Sequence, residues 1–578
     1  MQYKNTHTTY TLLTKVIRTI IANTMQKRTI VKSLFLLLLI SGGINTQTYA
    51  QSEVDVEKPY EPAIEDAFKI SKMPQISDTT QIDVSFEYDI MPSPFLSFFT
   101  PDNIKPARLK SEEADLLDNG FVRGGFGNYL SPILEIRAHS KRSAEHHWNA
   151  YLLHESVNGK ITNQYDKKQY AGYSSNKIGA HGKKMLPTAV AYAKIDFDNR
   201  KTYYFGKTLD DELANVRTTE FEKKDLKALP VNSFSTKLGI NSTHMDSAHL
   251  NYRLYAKLRH TNAKTTIKED KTNIGADLDY YFNKQFIGTR GKITYLQTAG
   301  LNDTLEHVYI DFNPWIGAFG KKWRIQAGVN TSYDQKTAEY YFYPDVKLHY
   351  NIVSFIMVPY FEYSGNYQLN TYKNITDENH FVLPSLYVKP TNYKNIISGG
   401  LRGNVSSRLG FNLNATYNNI EDQYFYIDAD TTQSTQYFDV EYDNLTQMKF
   451  MAEVSWKKSE TFNVLVQATY NQYSLDSLSQ PYYMPIYEIN THLRYNIKNK
   501  IILTSDLFYK GERYAHDLRY GDIHLKDIID LNVGGEYLYN HYLSAFVQFN
   551  NILAQKRFEW NNYRLLGFRV TAGATYRF

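Results

Sequence analysis

The chain has no cysteine, so neither a disulfide framework nor a thiolate metal site is available to it. Long apolar runs are missing as well. The strongest, residues 33–44 (SLFLLLLISGGI), falls short of the roughly 20 residues that a membrane-crossing helix takes. An excess of one charge is also lacking: 65 Lys and Arg against 60 Asp and Glu leave +5 over 578 residues, no electrostatic footprint for nucleic acid. No phosphate-cradling glycine loop lies between a strand pattern and a helix pattern. What the chain holds in excess is aromatic. With 49 Tyr and 31 Phe, aromatics reach 15% in a chain of negative mean hydropathy. That balance argues against a helical membrane protein and fits strands with one greasy and one polar face.

Residues 33–44 follow Lys27, Arg28 and Lys32 and precede Thr48-Tyr49-Ala50, whose small Thr48 and Ala50 suit a cleavage site. This is the pattern of an export signal peptide, removed after Ala50. Met25 stands just before the basic stretch, which makes 1–24 an upstream extension and 1–50 the targeting region. No cysteine follows the apolar run, so a lipoprotein is not expected. Residues 51–118 carry Pro59, Pro62, Pro74, Pro92, Pro94, Pro101 and Pro106 and form an N-terminal extension too short for a sizeable domain. A short helix is expected over 61–73 and a strand over 83–89. The apolar but Pro-broken run 91–101 suits a groove or lumen better than a ladder.

The last eleven residues, 568–578 (FRVTAGATYRF), set the architecture. Phe568, Val570, Ala572, Ala574, Tyr576 and Phe578 share one parity; Arg569, Thr571, Gly573, Thr575 and Arg577 share the other. Period-two alternation of this kind puts lipid on one face of a strand and a hydrated lumen on the other. Inner stretches repeat it. Leu409, Phe411, Leu413, Ala415 and Tyr417 oppose Gly410, Asn412, Asn414, Thr416 and Asn418, and 462–473 (FNVLVQATYNQY) reads alike.

Strands are expected near 119–128, 131–140, 145–156, 174–185, 188–206, 231–244, 247–262, 265–283, 285–300, 306–320 and 322–334. They continue near 338–351, 353–368, 392–406, 408–427, 444–458, 460–475, 483–498, 500–513, 526–540, 542–551 and 564–578. The fold class is therefore all-β: a transmembrane antiparallel barrel of about 22 strands over 119–578, preceded by the short extension. Tyr280, Tyr281, Tyr340, Tyr341, Tyr537 and Tyr539, near strand ends, are expected in the interfacial girdles.

Connection lengths give independent support. Tight joints fall at Tyr539-Asn540-His541, Lys498-Asn499-Lys500, Lys458-Ser459, Ser406-Ser407, Asn351-Ile352, Gly320-Lys321, Asn283-Lys284 and Asp246-Ser247. Longer stretches, 206–230, 369–393, 424–443, 514–525 and 553–563, occupy the alternate joints. Short turns on one rim and long loops on the other is the asymmetry of outer-membrane barrels. A soluble sandwich has no reason to sort loop length by strand parity.

The strand count, the opening 121–142 (FVRGGFGNYLSPILEIRAHSKR) and the closing 542–578, with Phe549–Trp560 and Gly567-Phe568 before the last strand, resemble TonB-dependent receptors of the Bacteroidetes type. The resemblance covers 120–578. It implies a cell outer-membrane location, outer-membrane lipid around the wall, a ligand bound or transported at the surface and the TonB system as partner. Members of that family carry a globular plug and a TonB-contacting box before the barrel. Residues 51–119 leave no room for such a plug, and Val54-Asp55-Val56-Glu57 makes no box. Something must then close the lumen: the N-terminal segment, folded-in loops or a partner protein. The N-terminal segment is the expected stopper.

Chemistry is sparse. His154 and Ser156, in 152–159 (LLHESVNG), share a strand face and resemble the His-x-Ser arrangement of outer-membrane phospholipases, which are much smaller barrels. Among 16 histidines such a triplet arises by chance, and a strand end entering a loop accounts for it. His146-His147 alternate faces and so do not chelate one metal easily. Asp428-Ala429-Asp430 has the spacing for calcium, and Asp210-Asp211-Glu212 looks similar; solvated loop acids account for both. No catalytic, cofactor-binding or metal residue is assigned, and no enzymatic role or nucleic-acid partner is expected. Three classes stay open: a transporting or ligand-binding barrel, a plugless accessory barrel that docks other envelope proteins, and a barrel hydrolase.

Overall fold

The computed structural model describes residues 118–578 apart from 163–166, 207–221, 244–248, 264–266, 301–303, 354–355, 387, 430–436, 460 and 519. The leader, the upstream extension, almost all of the N-terminal extension, Asp430 and Asp210-Asp211-Glu212 lie outside the described residues.

Twenty-two strands form one antiparallel sheet that closes on itself. The first strand, Gly120–Gly127, pairs with the second, Ser131–His139, on one side. On its other side it pairs with the last, Arg569–Arg577, in the register Phe121↔Arg577 to Gly127↔Thr571. Closure leaves no edge strand, so the backbone ladder runs from neighbour to neighbour around the whole wall. Among the described residues no helix is long and apolar enough to cross a membrane.

The two parities sort as alternation requires. On the last strand Ala572, Ala574 and Tyr576 are exposed, while Thr571 and Thr575 are buried inward. Across the wall Ile178 pairs with Phe197 and Phe197 with Phe234, an outward apolar row on neighbouring strands. One residue along, Lys177, Asp198, Ser233, Thr261 and Glu269 pair in sequence and face the lumen. The expected tyrosine girdle holds for alternate members only. Tyr280, Tyr340, Tyr537 and Tyr539 are exposed, whereas Tyr341, a neighbour in sequence, turns inward and stacks on Tyr367 at 4.4 Å. Adjacent strand residues point to opposite faces, so a Tyr-Tyr dipeptide supplies one girdle residue, not two.

One rim carries tight joints. Phe282 pairs with Gln285 around Asn283-Lys284, and Ser406 with Leu409. Lys498 and Asn499 both have positive φ, 51° and 53°, the mirror-image turn whose twist matches the flanking strands. The other rim carries structured connections. Small hairpins form at Lys160–Thr162 with Lys168–Tyr170, at Arg513–Asp517 with Gly521–Leu525, and at Phe558–Trp560 with Tyr563–Arg564. An α-helix, Tyr372–Glu378, sits within 369–390.

Two expectations need correction here. Residues 424–428 and 438–443 belong to strands and not to a loop, because Leu409–Asp428 and Phe438–Ser459 run on past a bulge at Ile420/Gln423 and pair to Asp428↔Phe438. The last strand starts at Arg569, since Tyr563–Arg564 belong to the separate hairpin. Both errors lie at the loop-bearing rim, where strands leave the hydrocarbon and alternation need no longer track lipid and lumen.

Closure has a tight point at Gly573. It pairs with Gly125 and with Phe546; a Cβ there would lie 2.1 Å from the Gly124 carbonyl oxygen and 2.7 Å from Phe546 Cζ. The first of these is backbone and has no rotamer by which to yield. Gly573→Ala is therefore expected to strain the seam by about 1–3 kcal/mol. It should lower the midpoint of heat-induced mobility shift of the folded barrel on cold gels, and an unchanged midpoint would contradict the pairing of Gly573 with Gly125 and Phe546.

Candidate functional site: a capped mouth above a charged lumen

The helix Tyr372–Glu378 starts at Thr371, whose hydroxyl accepts the Asn374 amide at 3.2 Å. Its first turn is held from the wall. Glu269, 1% exposed, accepts the Tyr372 amide at 2.6 Å and pairs with Arg259 at 3.1 Å. Arg259 also donates to Thr371 at 2.9 Å. Along the helix Lys373 bonds Asp377 at 2.6 Å and Asp198 at 3.3 Å, and Arg200 donates to Asp377 and to the Thr376 carbonyl at 2.7 and 2.6 Å. Seven residues are too few for a helix that stands alone in water. This one exists because the wall satisfies its ends and buries Tyr372, Ile375 and Thr376.

From the helix the chain crosses the mouth. Phe381 accepts the Phe438 amide, and Leu383 donates back to Phe438 at 2.8 Å, around a parallel bridge between Val382 and Phe438. Tyr204 donates to the Val382 carbonyl at 2.8 Å, and its ring lies 4.7 Å from that of Tyr437. Tyr204 follows the fifth barrel strand, Ala189–Tyr203, and Tyr437 precedes the sixteenth of twenty-two, Phe438–Ser459. These positions are half the circumference apart, so side chains from opposite walls meet over the opening. Tyr563 stacks on Phe381 at 3.6 Å, and Trp560 packs against Tyr426 and Tyr483 at 4.9 and 4.7 Å. Loops from several joints thus share one apolar core, in which each fully buried large side chain contributes about 1.5–3 kcal/mol.

Two buried arginines fasten the last loop. Arg513 donates to the carbonyls of Phe558, Glu559 and Lys526. Arg557 reaches Asn551 at 2.6 Å, Asp530 at 3.2 Å and the Ile529 carbonyl.

Beneath the cap lies a cavity of about 370 Å³, bordered by Tyr173, Phe205, Glu378, His380, Arg557 and Arg569. His380 sits in the cap, where burial and the nearby Arg200 push its pKa down. A second chamber of about 530 Å³ continues along the wall and includes Arg123, Glu135, Arg137, Glu155 and Lys177. Arg569 and Asn550 border both. At this waist Arg569 pairs with Glu155 at 3.2 Å, and Tyr173 donates to the same carboxylate at 2.7 Å. Glu135 is taken by Arg137 at 2.6 Å. Arg123, stacked 3.8 Å over Phe546, lies across from Glu135 and Lys177 across from Asp198, but neither closes an ion pair among the described residues. The chamber is net cationic.

The sequence-derived candidates fall as follows. His154 and Ser156 are brought together, Nε2 to Oγ at 3.2 Å. His146 and His147 do point apart, and His147 bonds Ser140 at 2.9 Å. Asp428 is not a solvated loop acid: it is 4% exposed and accepts from Asn561 at 3.3 Å within the cap. No group of three His, Asp or Glu placed to hold a metal occurs among the described residues. The cap itself went unread. Its signal was the apolar set Phe381, Val382, Leu383 and Leu386 inside a nominal surface loop. Of the three possible stoppers, the structure shows folded-in loops at this rim.

No family model matches the chain, and no curated protein does. Solved structures share the fold. The siderophore receptor PirA from Acinetobacter baumannii aligns with a TM-score of 0.61 at 10% identity, over 81% of each chain. The pyoverdine outer membrane receptor FpvA from Pseudomonas aeruginosa aligns at 0.60 and 11%, over 81% of this chain and 79% of that one. The FrpB iron transporter from Neisseria meningitidis aligns at 0.59 and 10%, over 81% and 82%. The chain shares the 22-strand barrel fold of these receptors.

Proposed function

We propose that this chain is an outer-membrane receptor-type barrel that admits a bulky anionic solute through its capped mouth. Residues 1–50 serve as its leader, 51–118 as a periplasmic or lumenal extension, and 119–578 as the barrel. Outer-membrane lipid surrounds the wall, and the TonB system is the partner that would energise passage. The observation that carries the reading is the closed 22-strand wall shared with receptors named for siderophores and iron. The ligand class rests on the second chamber, where Arg123, Arg137, Lys177 and Arg569 outnumber Glu135 and Glu155.

A second reading, an accessory barrel that docks envelope proteins, is favoured by the dry core of the cap, which suits a stably shut mouth. Uptake by cells with and without the chain separates the two. Loss of uptake of at least one member of a panel of ferric siderophores and sulfated glycans is expected; unchanged uptake of every member favours the accessory role. Charge gives a sharper check. Once its cap is deleted, the barrel should prefer anions across a potassium chloride gradient, and Arg123→Glu with Lys177→Glu should reverse that preference. A wild-type lumen selective for cations would contradict the ligand class.

A further inference from the structure

The outward face of the wall carries a polar constellation that a lumenal pathway does not use. Leu152, His154 and Ser156 share the outward parity, since Leu152 pairs with Ile178, which is 50% exposed, and His154 pairs with Leu134 and Asn176. His154 Nε2 lies 3.2 Å from Ser156 Oγ, and His154 Nδ1 lies 2.6 Å from Asn176 Oδ1 on the next strand. Asn176 is itself held: its Nδ2 donates to Asn199 Oδ1 at 3.1 Å, and Asn199 donates to Asn232 at 2.5 Å. An amide oxygen only accepts, so Nδ1 carries the imidazole proton and Nε2 presents its lone pair to the serine hydroxyl. That is the tautomer a general base needs, and the relation of nucleophile, base and orienting group is that of a hydrolytic triad.

The place on the wall names the substrate class. Ile178, Phe197 and Phe234 form the apolar row one step toward the turn-bearing rim. The polar row one step toward the loops continues around the barrel, Asn232 pairing with Asn262 and Asn262 with Lys268. A band that is apolar below and amide-rich above marks the head-group level of the outer leaflet, the depth at which lipid ester carbonyls lie.

We infer that Ser156, His154 and Asn176 form a serine-nucleophile triad that hydrolyses carboxylic esters of amphiphiles at the outer leaflet. Ser156 Oγ attacks the ester carbonyl carbon while His154 Nε2 takes the hydroxyl proton. The carbon–alkoxy bond then breaks, His154 passes that proton to the departing alcohol, and the acyl group stays on Ser156. Water attacks the acyl ester, His154 takes its proton, and the fatty acid leaves as Ser156 is restored. Ser174, directly across from Ser156, offers its hydroxyl to the developing oxyanion. Asn176 is a positioning residue; it holds the ring and takes no proton. Ser156 keeps only 6% of its surface accessible, which limits bulk water at the nucleophile and leaves the ester to arrive along the wall.

The full barrel in detergent micelles tests this, with a lipophilic fluorophosphonate as label and dioleoyl phosphatidylethanolamine vesicles as substrate. Wild type should be labelled and should release oleate. Ser156→Ala should abolish both, and His154→Ala should reduce turnover by roughly 10³-fold or more. Asn176→Ala should lower kcat and shift its acid limb, with Asn176→Asp restoring activity; a merely structural role would leave the pH profile in place. Heat-modifiable migration on cold gels shows which variants are folded, and Ser156→Cys provides a near-isosteric second test of the nucleophile. A folded wild-type barrel that neither takes the label nor cleaves lipid ester overturns the assignment. So does hydrolysis that persists in Ser156→Ala. The site faces away from the lumen, so its failure would leave the transport reading untouched.

Discussion

Replacing residues 369–390 with a short glycine-serine hairpin is expected to turn a silent barrel into a conducting one. A 22-stranded wall encloses a lumen wide enough for water and ions unless something fills it. At the loop-bearing rim that something includes the segment through Tyr372, Phe381, Val382 and Leu386, which meets Tyr204 from one wall and Phe438 from the opposite one. Removing it takes away the crossing chain and leaves Tyr204, Tyr437 and Tyr563 without their central partner. In planar bilayers the change should be a rise of roughly tenfold or more in steady current, since the remaining loops no longer meet. Deleting residues 51–118 instead should leave current low, because the cap is still in place. The opposite pair of results, a silent cap deletion and a conducting 51–118 deletion, would return the stopper to the N-terminal segment.

The contrast between what the chain announced and what it hid follows from where lipid is. Along the wall, alternation has a physical cause on each face: Ala572 and Tyr576 meet hydrocarbon while Thr571 and Thr575 meet the packed interior. Period two therefore survives in the sequence, and with it the strand count. The sorting of joints by length also survives, since Asn283 and Lys498-Asn499 are turn residues for a local reason, their left-handed φ. Past the membrane neither constraint operates. The cap is built from long-range pairs, Glu269 with Tyr372 and Asn561 with Asp428, whose partners lie more than a hundred residues apart in sequence. No local pattern records such pairing. The same holds for Asn176, which completes the arrangement around His154 from a neighbouring strand and has nothing in its own surroundings to mark it. His-x-Ser alone is common, and only the fold supplies the third member.

Glu269→Ala is expected to release the helix from the wall while leaving the barrel folded. The carboxylate is nearly fully buried and does two things at once: it caps the Tyr372 amide and balances Arg259, which is itself largely buried. Removing one partner of a buried pair leaves the other charge uncompensated, and such losses run to about 3–5 kcal/mol. The helix has little with which to offset that, because seven residues form no stable helix of their own and its remaining tethers to the wall are two, Lys373 to Asp198 and Arg200 to the second turn. The amides of Ile375 and Asn379 should accordingly exchange about a hundredfold faster or more, at roughly tenfold per 1.4 kcal/mol. Amides of the wall below, such as those of 292–296, are held in the strand ladder and should keep their protection. Glu269→Gln should fall between the two, since its amide oxygen can still accept the Tyr372 N–H while the ion pair with Arg259 is gone. Equal exchange in all three proteins would show that the apolar core alone holds the cap, with the Arg259–Glu269 pair contributing nothing measurable.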